Sequence, residues 1–508
     1  MRPGNEAAVL AHNTAFSGAL MVLARLISRV MDLLTMLILA RLLSPSDFGL
    51  VTIAMTVILI LEAALEMPLS QALVRLPEIK ESYYHTAFTL GLLRGVLLCS
   101  AVYIIAVPFA SFYKHRELVP LIEFLSLAPA ARGLLNPRLA QFAKDLNFKY
   151  EFMFELIGKL AAFIAGIVTV FLTHSYWSIA VCTVAAPLVI AAQSYALFPF
   201  RPRLTLVDWR IFVDFLGWIS LSQIVLAINW QSDQLLLGKL MRPAQLGLFS
   251  LANNVTNIPL SSLFSPLLRP LLSAFSMLRE DRTRLQNSFQ SAASAVIAIG
   301  LPLLVGQSIV AAPMVRLLLG QKWLGAIPAV SLLSLSLIPL LFGMLLTPLS
   351  MALGETRAMV WRNVLQMCVK LPLVIVGALK YGFMGVIAAR IISETITAVY
   401  CMVIIRRLSG LSVARQLVSC WRSVAAVAFM AVILETFTSY FDWGIAPPWV
   451  AAQLGASVTL GAAAYTSCLF LLWRIEGRPQ GLETLALRML ARLRQRLVRT
   501  AGIVTPSA

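Results

Sequence analysis

The sequence predicts an all-α polytopic membrane protein with about 14 transmembrane helices, built as two parallel-repeat six-helix bundles plus an extra C-terminal hairpin. Three observations predict it: a composition too apolar for a soluble chain, apolar segments of bilayer length throughout, and an internal repeat. Of 508 residues, 59% are hydrophobic and only 13% are charged, and the mean hydropathy is +0.84. An ordinary soluble domain carries about 25% charged residues. A spanning helix needs roughly 20 apolar residues, so the chain is taken up by spans and leaves no room for a sizeable catalytic domain outside the membrane.

Apolar stretches bounded by proline, glycine or charge fall at 14–40, 48–71, 85–112, 118–136, 150–173, 176–198, 211–238, 246–275, 288–315, 326–350, 358–379, 382–405, 420–438 and 449–473. Backbone polar groups must be satisfied internally in lipid, and no alternating strand pattern is present, so each stretch predicts a helix. The first is too long for a cleavable signal and carries Arg25, Arg29 and Asp32. Counting Lys and Arg in alternate loops gives 24 on the side of both termini and 8 on the other, with nine inside spans. Basic residues collect on the cytoplasmic side, so both termini are expected there. The net charge of +18 then reads as attraction to anionic membrane lipid rather than to nucleic acid.

Residues 37–54 and 235–252 align without gaps at an offset of 198, with identities at Leu37, Leu39, Leu42, Pro45, Gly49, Leu50 and Ala54. Six spans separate the copies, an even number, so both have the same orientation in the bilayer. That is the parallel type of repeat, whose substrate path lies at the interface of the halves. The expected organisation is an N-terminal bundle over 12–200, a C-terminal bundle over 201–410, the extra hairpin over 411–475, and a basic tail over 476–508. In the tail, Leu482, Leu485, Met489, Leu493 and Leu497 fall at helical spacing beside a stripe of arginines, the pattern of an interfacial amphipathic helix.

Charges inside spans are costly and mark cavities or partners. In the first span Arg25, Arg29 and Asp32 share a face, and Asp32 is expected to pair with Arg29. Glu62 and Glu66, four residues apart in the second span, predict either a coupling site or pairing with Arg25 or Arg94. Glu151, Glu155 and Lys159 are expected to satisfy one another in the fifth. In the seventh, Asn229 and Asp233 share a face, with Arg269 of the eighth as the expected partner of Asp233. In the eleventh, Arg362, Gln366 and Lys370 recur every four residues as a polar stripe holding two positive charges and no acid. Arg390 and Glu394 predict an i,i+4 pair.

Seven of the nine intramembrane cations are arginines, whose guanidinium stays charged and grips phosphate with two parallel hydrogen bonds. Arg25, Arg29, Arg269, Arg362 and Lys370 are therefore the candidate lining of a cationic cavity. Asp32, Glu62, Glu66, Asn229, Asp233 and Gln366 are its candidate polar or coupling groups. Pro259, Pro266, Pro270, Pro302, Pro339 and Pro372 offer points of flexure.

Enzyme signatures are missing. The loops opposite the termini are short, the longest about ten residues around Ser439 to Pro448, too little for an outer-face polymerase site. No GxxxxGK[ST], HExxH or GxSxG occurs. The six cysteines all sit in apolar segments without a CxxC or a Cys/His cluster, so no metal or other cofactor is expected.

The runs ARLLSPSDFGL at 40–50, SDQLLLGKLMRPAQLGLFSLA at 232–252, RLLLGQKW at 316–323 and SMALGETR at 350–357 resemble, in that order, the polysaccharide transporter family. That family is part of the multidrug/oligosaccharidyl-lipid/polysaccharide exporter superfamily. The resemblance covers roughly 12–410 and implies a core of two six-helix bundles, often with two helices more. It also implies flipping of undecaprenyl-pyrophosphate-linked oligosaccharide across the bacterial inner membrane for exopolysaccharide, capsule or O-antigen synthesis. It points to Arg25 and Arg29 as cavity cations and Asp233 as the acidic position of the seventh helix. Implied partners are the lipid-linked oligosaccharide, membrane lipids and the polysaccharide polymerase or export machinery. A peptidoglycan-precursor flippase fits the same physics, whereas a cation-coupled drug antiporter of the superfamily would want an acidic cavity.

Overall fold

The computed structural model describes residues 27–67, 69–76, 78–144, 149–213, 217–355, 357–440 and 447–477. Arg25 and the amphipathic tail lie outside these. Among the described residues the chain is predominantly helical, without strands, and ten helical stretches are long and apolar enough to cross a bilayer. Each of the fourteen predicted segments overlaps helix, because apolar runs of that length have no other way to satisfy their backbone in lipid.

In chain order the helices are α1 (27–42), α2 (Pro45–Ala64), α3 (Leu69–Arg75), α4 (Glu81–Tyr113), α5 (Leu118–Leu125), α6 (Leu127–Gly133), α7 (Leu139–Lys144), α8 (Lys149–Thr173), α9 (Trp177–Leu197), α10 (Arg210–Val213) and α11 (Gly217–Leu240). They continue with α12 (Pro243–Met277), α13 (Arg282–Ile309), α14 (Ala311–Leu318), a 3₁₀ turn (Gln321–Ala326), α15 (Ile327–Ser336), α16 (Ile338–Gly343), α17 (Leu346–Ala352), α18 (Arg357–Ser409), α19 (Val413–Val418), α20 (Trp421–Tyr440) and α21 (Pro447–Ile475).

Two compact units form. The first holds Met1–Leu251, Leu318–Ala326 and Met367–Ala389, and the second Ala252–Leu317, Ile327–Gln366 and Arg390–Ala508. In the first, α8 packs on α9 through Phe154, Gly158, Ala162, Gly166 and Val170, one buried face at four-residue spacing. A Cβ at Gly166 would strike the Cys182 Sγ and one at Gly158 the Ile190 side chain. Small residues allow this close approach where lipid offers no hydrophobic drive between helices. In the second, Phe264, Phe275, Phe289 and Leu304 are almost wholly buried in an apolar cluster that extends to Leu434 of α20 and Tyr465 of α21.

Helix ends follow local chemistry. Ser44 caps α2 in a reciprocal box with Asp47, and Pro45 takes the first turn, where its missing N–H is harmless. Span ten breaks into α15, α16 and α17, with Pro339 at the start of α16. The eleventh and twelfth spans run on as α18, which reverses at Gly382 (φ 60°, ψ −138°), a conformation open to glycine. The limbs of that turn meet so closely that a Cβ at Gly377 would collide with the Gly385 carbonyl.

The two repeat copies adopt one local structure: a helix end, a two-residue break, then a helix opening on proline, at Pro45 and at Pro243. They also touch. A Cβ on Gly49 would collide with the Pro243 carbonyl, and one on Gly247 with the Pro45 carbonyl. The Thr52 hydroxyl donates to that of Ser250 at 3.0 Å, a pair 198 residues apart.

Candidate functional site

The first unit gathers most of the predicted polar residues, in three groups. At the start of α1, the Asp32 carboxylate accepts from Lys159 of α8 at 2.7 Å, and Lys159 also lies 3.4 Å from Glu155. The Ser28 hydroxyl donates to Glu155 at 2.5 Å, and Lys159 donates to the Ser28 carbonyl at 3.3 Å. The expected pairing of Asp32 with Arg29 is therefore replaced. Lys159 sits across the α1–α8 contact where it reaches two carboxylates at once, and periodicity within α1 could not reveal it. Arg29 is exposed and among the described residues forms no ion pair. The expected Glu155–Lys159 contact is present, extended by Asp32.

At the far end of α2, Glu62 forms an ion pair with Arg132 of α6. Arg94 of α4 donates from Nε to the Leu65 carbonyl at 2.6 Å and from Nη2 to the Glu62 carbonyl at 3.4 Å, a cation on the exposed carbonyls of a helix C-terminus. Glu62 and Glu66, four residues apart in the predicted second span, do not lie in one helix. Helix α2 ends at Ala64, and Pro68 follows closely enough to drive the chain out of helix before it.

The third group is the most buried. Lys370 Nζ lies 3.0 Å from Asp233 of α11, with side chains 7% and 5% exposed, and donates to the Asn229 carbonyl at 2.8 Å. The sequence pairs Asp233 with Arg269; the structure gives it Lys370. Arg269 belongs to α12, but its side chain lies outside the described residues. The reading of Lys370 as a cation without an acid is corrected in the same stroke, since the acid comes from another helix. A charge this deep persists only when paired and hydrogen-bonded.

The second unit holds the rest of the stripe. Gln366 Nε2 donates to Glu394 at 2.8 Å, and both are buried. Arg362 joins them around a cavity of about 10 Å³, room for about one water, lined also by Pro339, Gly343, Thr397 and Cys401. Its Nε is buried without a hydrogen-bond partner among the described residues. Arg390 reaches Asn253 of α12 at 2.7 Å, so of the predicted i,i+4 pair Arg390 engages another helix and Glu394 engages Gln366 on the other limb of α18. Sequence reasoning missed the roles of Lys159, Arg132 and Asn253. Lys159 and Arg132 carried the signal of an intramembrane cation, whereas Asn253 is an ordinary polar residue in a Ser/Asn-rich helix.

Helices of bilayer length, with the Lys370–Asp233 ion pair buried among them, define an integral membrane protein. The family described as "Polysaccharide biosynthesis protein" matches residues 38–328, more than half of the chain, and the chain belongs to it. It is 26% identical over 400 residues to the lipopolysaccharide biosynthesis protein WzxC of Escherichia coli K12, covering 77% of this chain and 80% of that one. It is 23% identical over 473 residues to the succinoglycan biosynthesis transport protein ExoT of Rhizobium meliloti, covering 93% and 94%. The fold is shared with the lipid II flippase MurJ in its inward closed conformation, with a TM-score of 0.71 at 16% identity over 90% of this chain and 99% of that one.

Proposed function

We propose that this chain translocates undecaprenyl-pyrophosphate-linked oligosaccharide across the bacterial inner membrane by alternating access, for exopolysaccharide, capsule or O-antigen synthesis. The observation that carries the reading is near full-length similarity, 93% of this chain, to a succinoglycan biosynthesis transport protein. A family defined by polysaccharide biosynthesis and a fold shared with a lipid II flippase support it.

The physical task is specific. The polyprenyl tail can stay in lipid, but a pyrophosphate and its sugars cannot enter hydrocarbon without partners. Arg29 and Arg362 are proposed as the groups that receive the pyrophosphate, with Arg25 and Arg269 contributing. Guanidinium offers two parallel donors to phosphate and keeps its charge at any physiological pH. Lys370, Asp233, Asn229 and Gln366 are proposed as polar cavity groups that hold the charge balance, with Asp32, Glu62 and Glu66 beside them. Both termini are proposed to be cytoplasmic, the bundles to follow 12–200 and 201–410, and polymerase or export components to receive the product.

Deleting the gene and locating the lipid-linked oligosaccharide tests the reading. Cytoplasm-facing intermediate should accumulate and surface polymer disappear, with rescue by the wild-type gene but not by Arg29→Ala or Arg362→Ala produced at equal levels. Normal polymer from both variants would refute the cationic path.

A further inference from the structure

The segment between α9 and α10 is built onto the first unit as a strap. Phenylalanines pin it at both ends: Phe200 and Phe212 are buried in one apolar cluster with Leu73 of α3, Tyr84 and Phe88 of α4 and Ala140 of α7. Phe200 packs against the His85 ring, stacked at 5.1 Å, and against the Arg138 guanidinium, 5.2 Å from its centroid. Between these ends α4 holds the strap's backbone three times. His85 Nδ1 accepts from the Arg203 N–H at 3.1 Å, the Thr86 hydroxyl donates to the Val207 carbonyl at 2.6 Å, and the Thr89 hydroxyl accepts from the Thr205 N–H at 3.1 Å. Buried Asn136 fixes the approach by donating to the Phe198 carbonyl at 2.8 Å.

The face that the strap turns outward has a different composition. Leu204, Leu206, Val207 and Trp209 are exposed, Leu204 at 73%. Arg201, Arg203 and Arg210 are exposed among them, with Asp208 the one acid between residues 201 and 210. Four large apolar side chains grouped on one short loop mark a contact surface rather than a water-facing one.

The level of the strap in the membrane identifies the contact. Its bonds go to residues 85–89, in the first turns of α4, a helix of 33 residues. Such a helix is about 50 Å long at 1.5 Å per residue and outruns a hydrocarbon core of about 30 Å. Its first turns therefore stand in the headgroup layer, and the strap lies on them. Tryptophan favours that layer, and arginine reaches phosphate from it while resting its stem on acyl chains. Three arginines against one acid complement an anionic headgroup surface.

We propose that the strap, residues 201–210, is a docking site for anionic phospholipid. Leu204, Leu206, Val207 and Trp209 enter the headgroup boundary, and Arg201, Arg203 and Arg210 bind lipid phosphates. The strap thereby ties the first unit to the leaflet beside it, whatever the cargo, so the proposal is independent of the flippase reading above.

The test uses the full-length protein with its six native cysteines replaced by alanine and Leu204→Cys carrying an environment-sensitive fluorophore. It is reconstituted in symmetric vesicles of phosphatidylcholine alone or mixed with phosphatidylglycerol. Quenching by nitroxide-labelled phosphatidylcholine should be several-fold greater in the mixed vesicles and should fall as salt screens the arginines. The Arg201→Gln/Arg203→Gln/Arg210→Gln variant should lose the dependence on phosphatidylglycerol. Equal quenching in the two kinds of vesicle would overturn the proposal, as would a triple variant that keeps the dependence. If the cysteine-free protein does not fold, wild-type protein in nanodiscs of the same two compositions decides, read by hydrogen–deuterium exchange. The strap's amides should exchange several-fold more slowly with phosphatidylglycerol present; equal exchange would overturn the proposal and leave this surface to a protein partner.

Discussion

At Lys370, desolvation of an ammonium group inside a membrane helix is offset by one carboxylate and one carbonyl within 3.0 Å. Removing one member of such a pair leaves the other buried and uncompensated, at a cost of about 3–5 kcal/mol, whereas replacing both with apolar groups of similar size is far milder. Lys370→Met and Asp233→Asn should therefore each lower the thermal unfolding temperature of the detergent-purified protein markedly. Lys370→Met/Asp233→Leu should recover most of that loss. Equal destabilisation by the double and single variants would show that the two groups are not energetically coupled. Arg29, exposed and outside any described ion pair, belongs to the opposite class: its removal should leave stability unchanged while affecting export. The sequence revealed that Arg362, Gln366 and Lys370 form one stripe, but not that Asp233 of α11 and Glu394 of the other limb of α18 answer it. Spacing along one helix reports faces, and says nothing of what packs against them.

The helices themselves were legible, because a run of bilayer length without charge has one backbone solution in lipid, and each predicted segment overlaps helix in the structure. The interruptions were less so. Ser126 separates α5 from α6, its hydroxyl bonded back to the Glu123 carbonyl at 2.6 Å, and nothing in the apolar pattern announces it. The early end of α2 at Ala64 could have been read from Pro68, and it separates Glu62 from Glu66. Packing between helices also tests sharply at this scale. Gly166→Val would drive a methyl group into Cys182, and overpacking of this kind costs about 1–3 kcal/mol. The variant should lower the unfolding temperature, and Cys182→Ala should restore part of the loss by vacating the space. No rescue would mean that the α8–α9 contact is not what the substitution disturbs.

Across the whole molecule, the repeat at offset 198 was visible in seven identities out of eighteen, and the structure adds that its copies meet each other through two of those identities, Pro45 and Gly49, and their counterparts. Identity at such positions records a mutual contact, in which neither glycine can gain a side chain without pushing into the other copy's backbone. The charge census likewise anticipated groups inside the membrane that must be paired or wet, and Asp32, Glu62 and Asp233 each have a cationic partner. The sugar and the carrier lipid lay beyond any charge pattern and came from resemblance and family membership. Purified protein reconstituted in liposomes with undecaprenyl-pyrophosphate-linked oligosaccharide on one leaflet tests the central claim most directly, by following glycan accessibility on the other. Passage faster than in protein-free liposomes, and slowed by Arg29→Ala and Arg362→Ala, is the predicted result; passage no faster than without protein would contradict the account.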